Sequence, residues 1–291
     1  MAVLTSALLR LYAVTPLPLA HLLGLLLGVL FYIVPNHHRQ ISAINLALCF
    51  PELSKMLHQW YLLLTLIETG KTLFETPILL LASKTRLRRM VRSVHQQQLA
   101  DRAIAQQGVV MATFHLGAWE MAGAWCSLHY PMVTLYRPPR QQQLEQLIRD
   151  SRARFGARLV TLDSRGIRTS LQALKQGEMI GILPDQDPRQ HGNLFAPLFG
   201  IDANTMTLYG RLVQKGGAAA LFCTAERLSF GRGFRLHFSQ PADISATESL
   251  AQITAALNRE LERQIRTQPT QYQWSYKRFR TRPPDHPPLY P

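Results

Sequence analysis

Residues 108–128 read GVVMATFHLGAWEMAGAWCSL, and the change of pattern inside this stretch decides the fold. From Gly108 to His115 it is a short, largely apolar run that ends on an imidazole, the signature of a buried strand. Gly117 interrupts it, and the residues that follow, to Leu128, read as a helix. The same alternation continues downstream. "PMVTLYR" (131–137), "ARLVTL" (157–162) and "EMIGILPD" (178–185) predict strands, with "RQQQLEQLIRDSRARF" (140–155) and "GIRTSLQALKQG" (166–177) as the helices between them. Strands and helices in alternation build a mainly parallel sheet with helices on its faces. After a loop, 204–216 predicts a helix, 218–227 and 234–241 strands, and 247–267 a closing helix. The expected class is therefore α/β, a mainly parallel mixed sheet flanked by helices.

Upstream of this stretch the pattern is helical. "NHHRQISAINLALCF" (36–50) predicts an amphipathic helix ended by Pro51, and 55–82 predicts a second, followed by the basic run "KTRLRRMVR" (84–92). Before them, Leu11 to Val34 contain no Asp, Glu, Lys or Arg. At ~1.5 Å per residue, the last part of this run nearly crosses a ~30 Å hydrocarbon core. It predicts a transmembrane or membrane-anchoring helix within residues 1–35, followed by one large domain over 36–291 whose last residues, 276–291, form an extended tail. The proline-rich end "RPPDHPPLYP" (282–291) is the part least expected to fold. The basic flank "HHRQ" places the large domain on the cytoplasmic side of a single-pass anchor.

The chain has 32 Lys and Arg against 18 Asp and Glu, a formal charge of +14. That excess attracts polyanions, whether nucleic acid, anionic lipid or an acidic carrier protein. Three cysteines, Cys49, Cys126 and Cys223, are too few and too scattered for a disulfide framework or a zinc ribbon. The segment "TLIETGKTLFE" has the end of a phosphate-binding loop but Thr65 where its first glycine belongs. No serine sits in a G-x-S-x-G context, and His37 and His38 lack companion ligands at metal spacing, so no metal is expected.

His115 and Glu120 are the chemical pair in the opening stretch. On one helix they would lie about 140° apart and could not meet. With His115 at the end of a strand, Gly117 in the turn and Glu120 in the next first turn, the carboxylate can reach back to the ring. It would then fix the tautomer and leave the other ring nitrogen as a general base. A histidine that merely ends a strand and a glutamate that favours a helix N-terminus are the bland alternative.

Six blocks now fall into order: "FHLGAWE", "YRPP", "RARFGARLV", "SRGIRTSLQALKQGEMIGILPDQDP", "FAPLFG" and "QYQWSYKRFRTRP". Together with "INLALCFPELS" they resemble the bacterial late lipid A acyltransferases, His-x4-acid enzymes of the wider lysophospholipid acyltransferase group. The resemblance implies an inner-membrane enzyme that moves an acyl chain from acyl carrier protein onto a hydroxyacyl chain of the lipid A precursor. It needs no cofactor beyond that acylated carrier, and no nucleic acid partner is expected. His115 would take the proton from the acceptor hydroxyl, Glu120 would orient His115, and amides near Gly117 are oxyanion candidates. By the same resemblance Arg152 binds phosphate, with Arg154 close enough to compete for the assignment. Asp185 supports the site, and Arg137 adds a basic contact. Two other readings remain: the same chemistry on another glycolipid or a lysophospholipid, or an inactive, membrane-tethered basic binding module.

Overall fold

A computed structural model describes residues 12–138, 142–188 and 193–291. The described chain begins with a helical layer: α1 (Leu17–Ile33), α2 (His37–Cys49), α3 (Lys55–Leu81) and the short α4 (Lys84–Met90). Alternation then sets in as β1 (Val91–His95), α5 (Gln98–Gln106), β2 (Val109–Ala112), α6 (Trp119–His129), β3 (Met132–Tyr136), α7 (Gln142–Ala153), β4 (Ala157–Thr161), α8 (Ser164–Lys175) and β5 (Met179–Ile182). It closes with β6 (Leu194–Leu198), β7 (Ile201–Thr205), α9 (Leu208–Gly216), β8 (Ala219–Arg227), β9 (Phe234–Ser239) and α10 (Leu250–Thr267).

Seven strands make one sheet in the order β1-β9-β8-β2-β5-β3-β4, and β6 and β7 form a separate hairpin. Within the large sheet the pairings are parallel except where β8 runs against β9. The central strands are buried on both faces and therefore read as unbroken apolar runs rather than as alternations. Side chains of β2 still divide with period two: Val110 and Ala112 enter one core cluster, Val109 and Met111 the other. The two cores lie on opposite faces of the sheet. One is filled from α2, α3, α8, α9 and α10, the other from α1, α3, α4, α5 and α6.

The N-terminal helix is bound into this body. Leu17, Ala20, His21, Gly24 and Gly28 form its buried stripe, at the three- and four-residue spacing of one helix face. A Cβ on Gly24 or Gly28 would strike the backbone of α3 at Lys71 or Ile67, so small residues let the two backbones touch. The opposite face exposes Leu19, Leu22, Leu23, Leu26, Leu30 and Ile33. At 17 residues α1 is only ~25 Å long. Among the described residues, no single helix is long and apolar enough to cross a membrane. The bent pair α1 and α2, at 79°, meets that length and composition only together. Residues 1–11, which include the start of the expected anchor, lie outside the described residues.

Three regions differ from the sequence expectation. Part of the basic run, expected only as a continuation of the helical region, supplies edge strand β1, which pairs parallel with β9. Residues 194–205 form the antiparallel β6–β7 hairpin, so Asn204 and Thr205 belong to a strand rather than to α9. The C-terminal end is also drawn into the core, although its composition argued otherwise. Arg278 and Phe279 are buried, and Arg278 donates to the carbonyl of Asn204 (2.6 Å) and to Thr205 Oγ1 (2.8 Å). The Tyr290 hydroxyl donates to Asn45 Oδ1 at 2.5 Å. Partners 73 to 245 residues away hold this tail, and no local pattern encodes that.

Candidate active site

Parallel pairing of β2 with β5 aligns Ala112 with Ile182. Three residues past each strand end stand His115 and Asp185, and the register brings them face to face. His115 Nδ1 lies 2.8 Å from Asp185 Oδ1, and the His115 backbone N–H donates to Asp185 Oδ2 at 2.9 Å. A carboxylate only accepts, so the ring proton sits on Nδ1 and the lone pair on Nε2. The site thus occupies the carboxyl ends of parallel strands, where open α/β sheets carry their ligands.

Asp185 has no exposed side-chain surface, whereas the His115 side chain keeps 16%. Burial pushes the Asp185 carboxyl up. The charge of His115, its two hydrogen bonds and the nearby Arg278 outweigh that and hold it below its ordinary value. Asp185 is therefore ionised and fixed. Trp119 packs its indole 5.1 Å from the imidazole. Gln186 Nε2 lies 3.3 Å from His115 Nε2 and donates to Gln273 Oε1 at 3.2 Å.

The loop between β2 and α6 is pinned throughout. Gly117 has φ +60°, and a Cβ there would collide with the Ala225 carbonyl; only glycine fits on both counts. Gly117 N–H donates to the Gln271 carbonyl (3.0 Å), Ala118 N–H to the Ala225 carbonyl (2.8 Å), and the His115 carbonyl accepts from Gln273 (3.0 Å). The Gly117 amide is thus engaged elsewhere and is not a free oxyanion donor, a correction to the sequence expectation.

Glu120 requires a second correction. It stands in the first turn of α6 as expected, but its partner is Arg152, which donates to Oε1 at 2.6 Å and to Oε2 at 3.2 Å. The carboxylate that orients His115 is Asp185. The register of two strands 70 residues apart decides this, whereas the five-residue spacing suggested the nearer acid. Arg152, from the last turn of α7, uses two guanidinium donors on Glu120 and lines the open cleft beside His115. Arg154 points elsewhere: it donates to the carbonyls of Leu80 and Leu81 and caps the end of α3. Of the two arginines, Arg152 faces the cleft and Arg154 the end of α3. Arg137 is exposed on the cleft wall.

That cleft encloses about 1070 Å³ and is lined by His115, Gln186, Arg137, Arg152, Arg211 and Tyr276 among others. Next to it lies an apolar crevice of about 40 Å³ between Leu79, Gly123, Met132, Phe155 and Gly181, with Glu120 and Arg152 on its wall. The two spaces share Arg152, Ile182 and Leu183. A base at the junction of a polar cleft and an apolar slot suits a reaction between a polar group and a long apolar chain.

The profile of the bacterial lipid A biosynthesis acyltransferases matches residues 1–281. The chain belongs to this family. It is 29% identical to the lipid A biosynthesis palmitoleoyltransferase of Escherichia coli K12 over 277 residues, 94% of this chain and 89% of that protein. The lauroyltransferase of the same organism is 28% identical over 94% and 90%, and a lipid A biosynthesis acyltransferase of Haemophilus influenzae 26% over 94% and 88%. The protein is an acyltransferase. Two relatives named for different acyl chains stand equally near, so overall similarity does not select the chain it transfers.

Sequence reasoning missed a buried ionic cluster behind the candidate site. Arg227, at the end of β8, donates to Glu75 Oε2 (2.8 Å) and Oε1, to Glu68 Oε2 (2.6 Å), to Thr72 Oγ1 (3.0 Å) and to the Gly117 carbonyl (3.2 Å). His21 of α1 joins through Nε2 to Glu75 Oε2 at 2.9 Å. Burial raises the Glu75 carboxyl, but the charge and hydrogen bonds of Arg227, with His21, bring it down to about 2. The signal in the sequence was a pair of glutamates, Glu68 and Glu75, inside a largely apolar helix.

Proposed function

We propose that this acyltransferase moves a fatty acyl chain from acyl carrier protein to a hydroxyacyl chain of the lipid A precursor, at the cytoplasmic face of the inner membrane. The observation that carries the reading is His115, with Nδ1 held by Asp185 and Nε2 at the floor of the cleft. Nε2 removes the acceptor hydroxyl proton while the oxygen bonds to the thioester carbonyl carbon. The tetrahedral intermediate collapses as the carbon–sulfur bond breaks, and the proton on Nε2 passes to the departing thiolate. No acyl-enzyme forms. The Gln186 side-chain amide bonds Gln273 Oε1 and lies 3.3 Å from Nε2; once Nε2 takes up the proton it no longer accepts, and the freed amide hydrogen serves as a donor toward the developing oxyanion.

Glu120 and Arg152 act as a unit. The carboxylate fixes the guanidinium at the junction of cleft and crevice, and its remaining donors suit phosphate. Arg137 and Arg211 extend the positive wall. The donor chain enters the apolar crevice. As it stands, that space is smaller than the ~150 Å³ cavity that accommodates benzene, so its walls must part. Met132 is the adaptable wall, because a thioether chain has several rotatable bonds. The exposed apolar face of α1 keeps the site at the lipid surface.

Mass spectrometry of lipid A from cells lacking or overproducing the protein tests the reading directly. Loss of one secondary acyl chain in the first and its enrichment in the second are expected, and unchanged lipid A in both overturns it. In purified enzyme, Asp185→Asn lowers kcat at least as strongly as Glu120→Gln if Asp185 orients the base; the reverse order returns that role to Glu120.

A further inference from the structure

The turn between β8 and β9 holds an aromatic residue in water under backbone strain. Phe230 is 88% exposed and has φ +60°, a left-handed conformation costly for a bulky side chain. Nothing in the fold recovers that cost, since Phe230 does not enter either core. Its neighbour Gly231 lies against Pro18 and Leu17, so closely that a Cβ there would strike the Pro18 backbone. The phenyl group is thus carried at the N-terminal end of α1, whose outer face exposes a run of leucines.

Basic residues lie on the segments that meet at this turn. Arg232 is exposed, and its carbonyl accepts from Arg92 Nε at 2.6 Å. Arg92 is the second residue of β1, which follows α4 directly, and Arg88 and Arg89 in the last turn of α4 are exposed. The Met90 carbonyl lies against Gly233, which fixes α4 beside the turn. Arg86 of α4 donates to the carbonyls of Ala13 and Thr15 and ties the helix to the segment leading into α1. No acidic residue occurs from Lys84 to Gln98 or from Leu228 to Arg235.

We infer that Phe230 with Arg88, Arg89, Arg92 and Arg232 is a second membrane contact, which inserts the ring among lipid chains and binds anionic headgroups around it. This deepens the membrane attachment proposed above and rests on it. A bilayer fits better than a protein partner because the patch continues into the leucine face of α1, and the pairing of an apolar wedge with a basic rim is what an anionic interface selects. One helix alone fixes depth but leaves rotation about its axis free. A contact outside that helix orients the cleft.

The three cysteines Cys49, Cys126 and Cys223 are buried, so a fluorophore can be placed selectively on Phe230→Cys or, as a control, on Leu26→Cys. In full-length protein reconstituted in vesicles, nitroxide-bearing phosphatidylglycerol should quench the label at 230 at least twofold more than nitroxide-bearing phosphatidylcholine at equal content. The further substitutions Arg88→Ser, Arg89→Ser and Arg232→Ser should abolish that preference. Quenching at 26 but not at 230 overturns the inference while leaving membrane attachment standing. Quenching at neither position removes both. Equal quenching by the two lipids at 230, or burial of that label by a second copy or by acyl carrier protein instead, also overturns it.

Discussion

Two nitrogen-bearing side chains stand close to the Gly117 turn in sequence or in space, and each is held by carboxylates. His115 meets Asp185 with Nδ1 and presents Nε2 to the cleft. Arg227, 1% exposed, spends Nε, Nη1 and Nη2 on two glutamates, a threonine and the Gly117 carbonyl. The ingredients are alike, and the number of satisfied valences separates them. A saturated buried cation is scaffold, because any change leaves a charge without its partner. A ring held on one side by a carboxylate and met on the other, cleft-facing side by the long contact to Gln186 can exchange a proton with a ligand.

The largest effect follows from removing the open nitrogen. His115→Ala should lower kcat by roughly 10³-fold or more, in line with loss of a positioned general base, with an unchanged thermal midpoint; steady-state kinetics and thermal melting check both. Gln186→Ala should cost less, about 10²-fold in kcat, with KM little altered. If both variants lose stability instead of rate, the contrast between site and scaffold fails.

Arg227→Met should show the opposite pattern. It leaves Glu75 and Glu68 facing an apolar side chain and should destabilise the fold by ~3 to 5 kcal/mol, measured by denaturant unfolding. Activity in the surviving folded fraction should fall as well, since the Gly117 carbonyl loses a donor. The double variant Arg227→Met, Glu75→Gln should recover part of the stability, as uncharged partners need no counter-ion.

Acid probes the same cluster without mutation. The Glu75 carboxyl is held at about 2, below its unfolded value near 4.5, so its contribution is fully present above the latter. It is lost as pH falls from there toward 2, on the order of a few kcal/mol. Stability curves of wild type and Glu75→Gln should therefore converge with acidification through that window, and parallel curves would show that Glu75 carries no such linkage.

The legibility of the two regions in sequence differs for the same physical reason. His115 was readable because a strand, a glycine turn and a helix start lie within six residues, and local rules govern all three. Its partner was misjudged because Asp185 reaches it through strand register, which spacing along the chain does not encode. Asp185 entered only through resemblance, and Gln186 beside it was overlooked. The Arg227 cluster joins α1, α3 and β8 across 206 positions, from His21 to Arg227, and is the kind of contact that only the assembled fold specifies. The buried strands were found from unbroken apolar runs, whereas β1 and the β6–β7 hairpin escaped because exposed or half-exposed strands share residues with loops and basic helices.

Smaller in energy, and sharper as a test of the site, is the floor of the crevice. A Cβ added to Gly123 meets no atom within 4 Å, because that side of α6 faces the apolar slot. Gly123→Leu therefore fills the slot without straining the backbone, and it trades a poor helix former for a good one, worth up to ~1 kcal/mol. The expected result is a thermal midpoint equal to or above wild type together with a change in donor preference. Each methylene excluded from an apolar pocket costs ~1 to 3 kcal/mol of transition-state binding, so kcat/KM for the longest accepted donor should fall tenfold or more while shorter acyl donors keep their rate. A uniform loss across chain lengths would mean that the crevice does not hold the chain. The cleft beside His115 would then have to hold the donor chain as well as the acceptor.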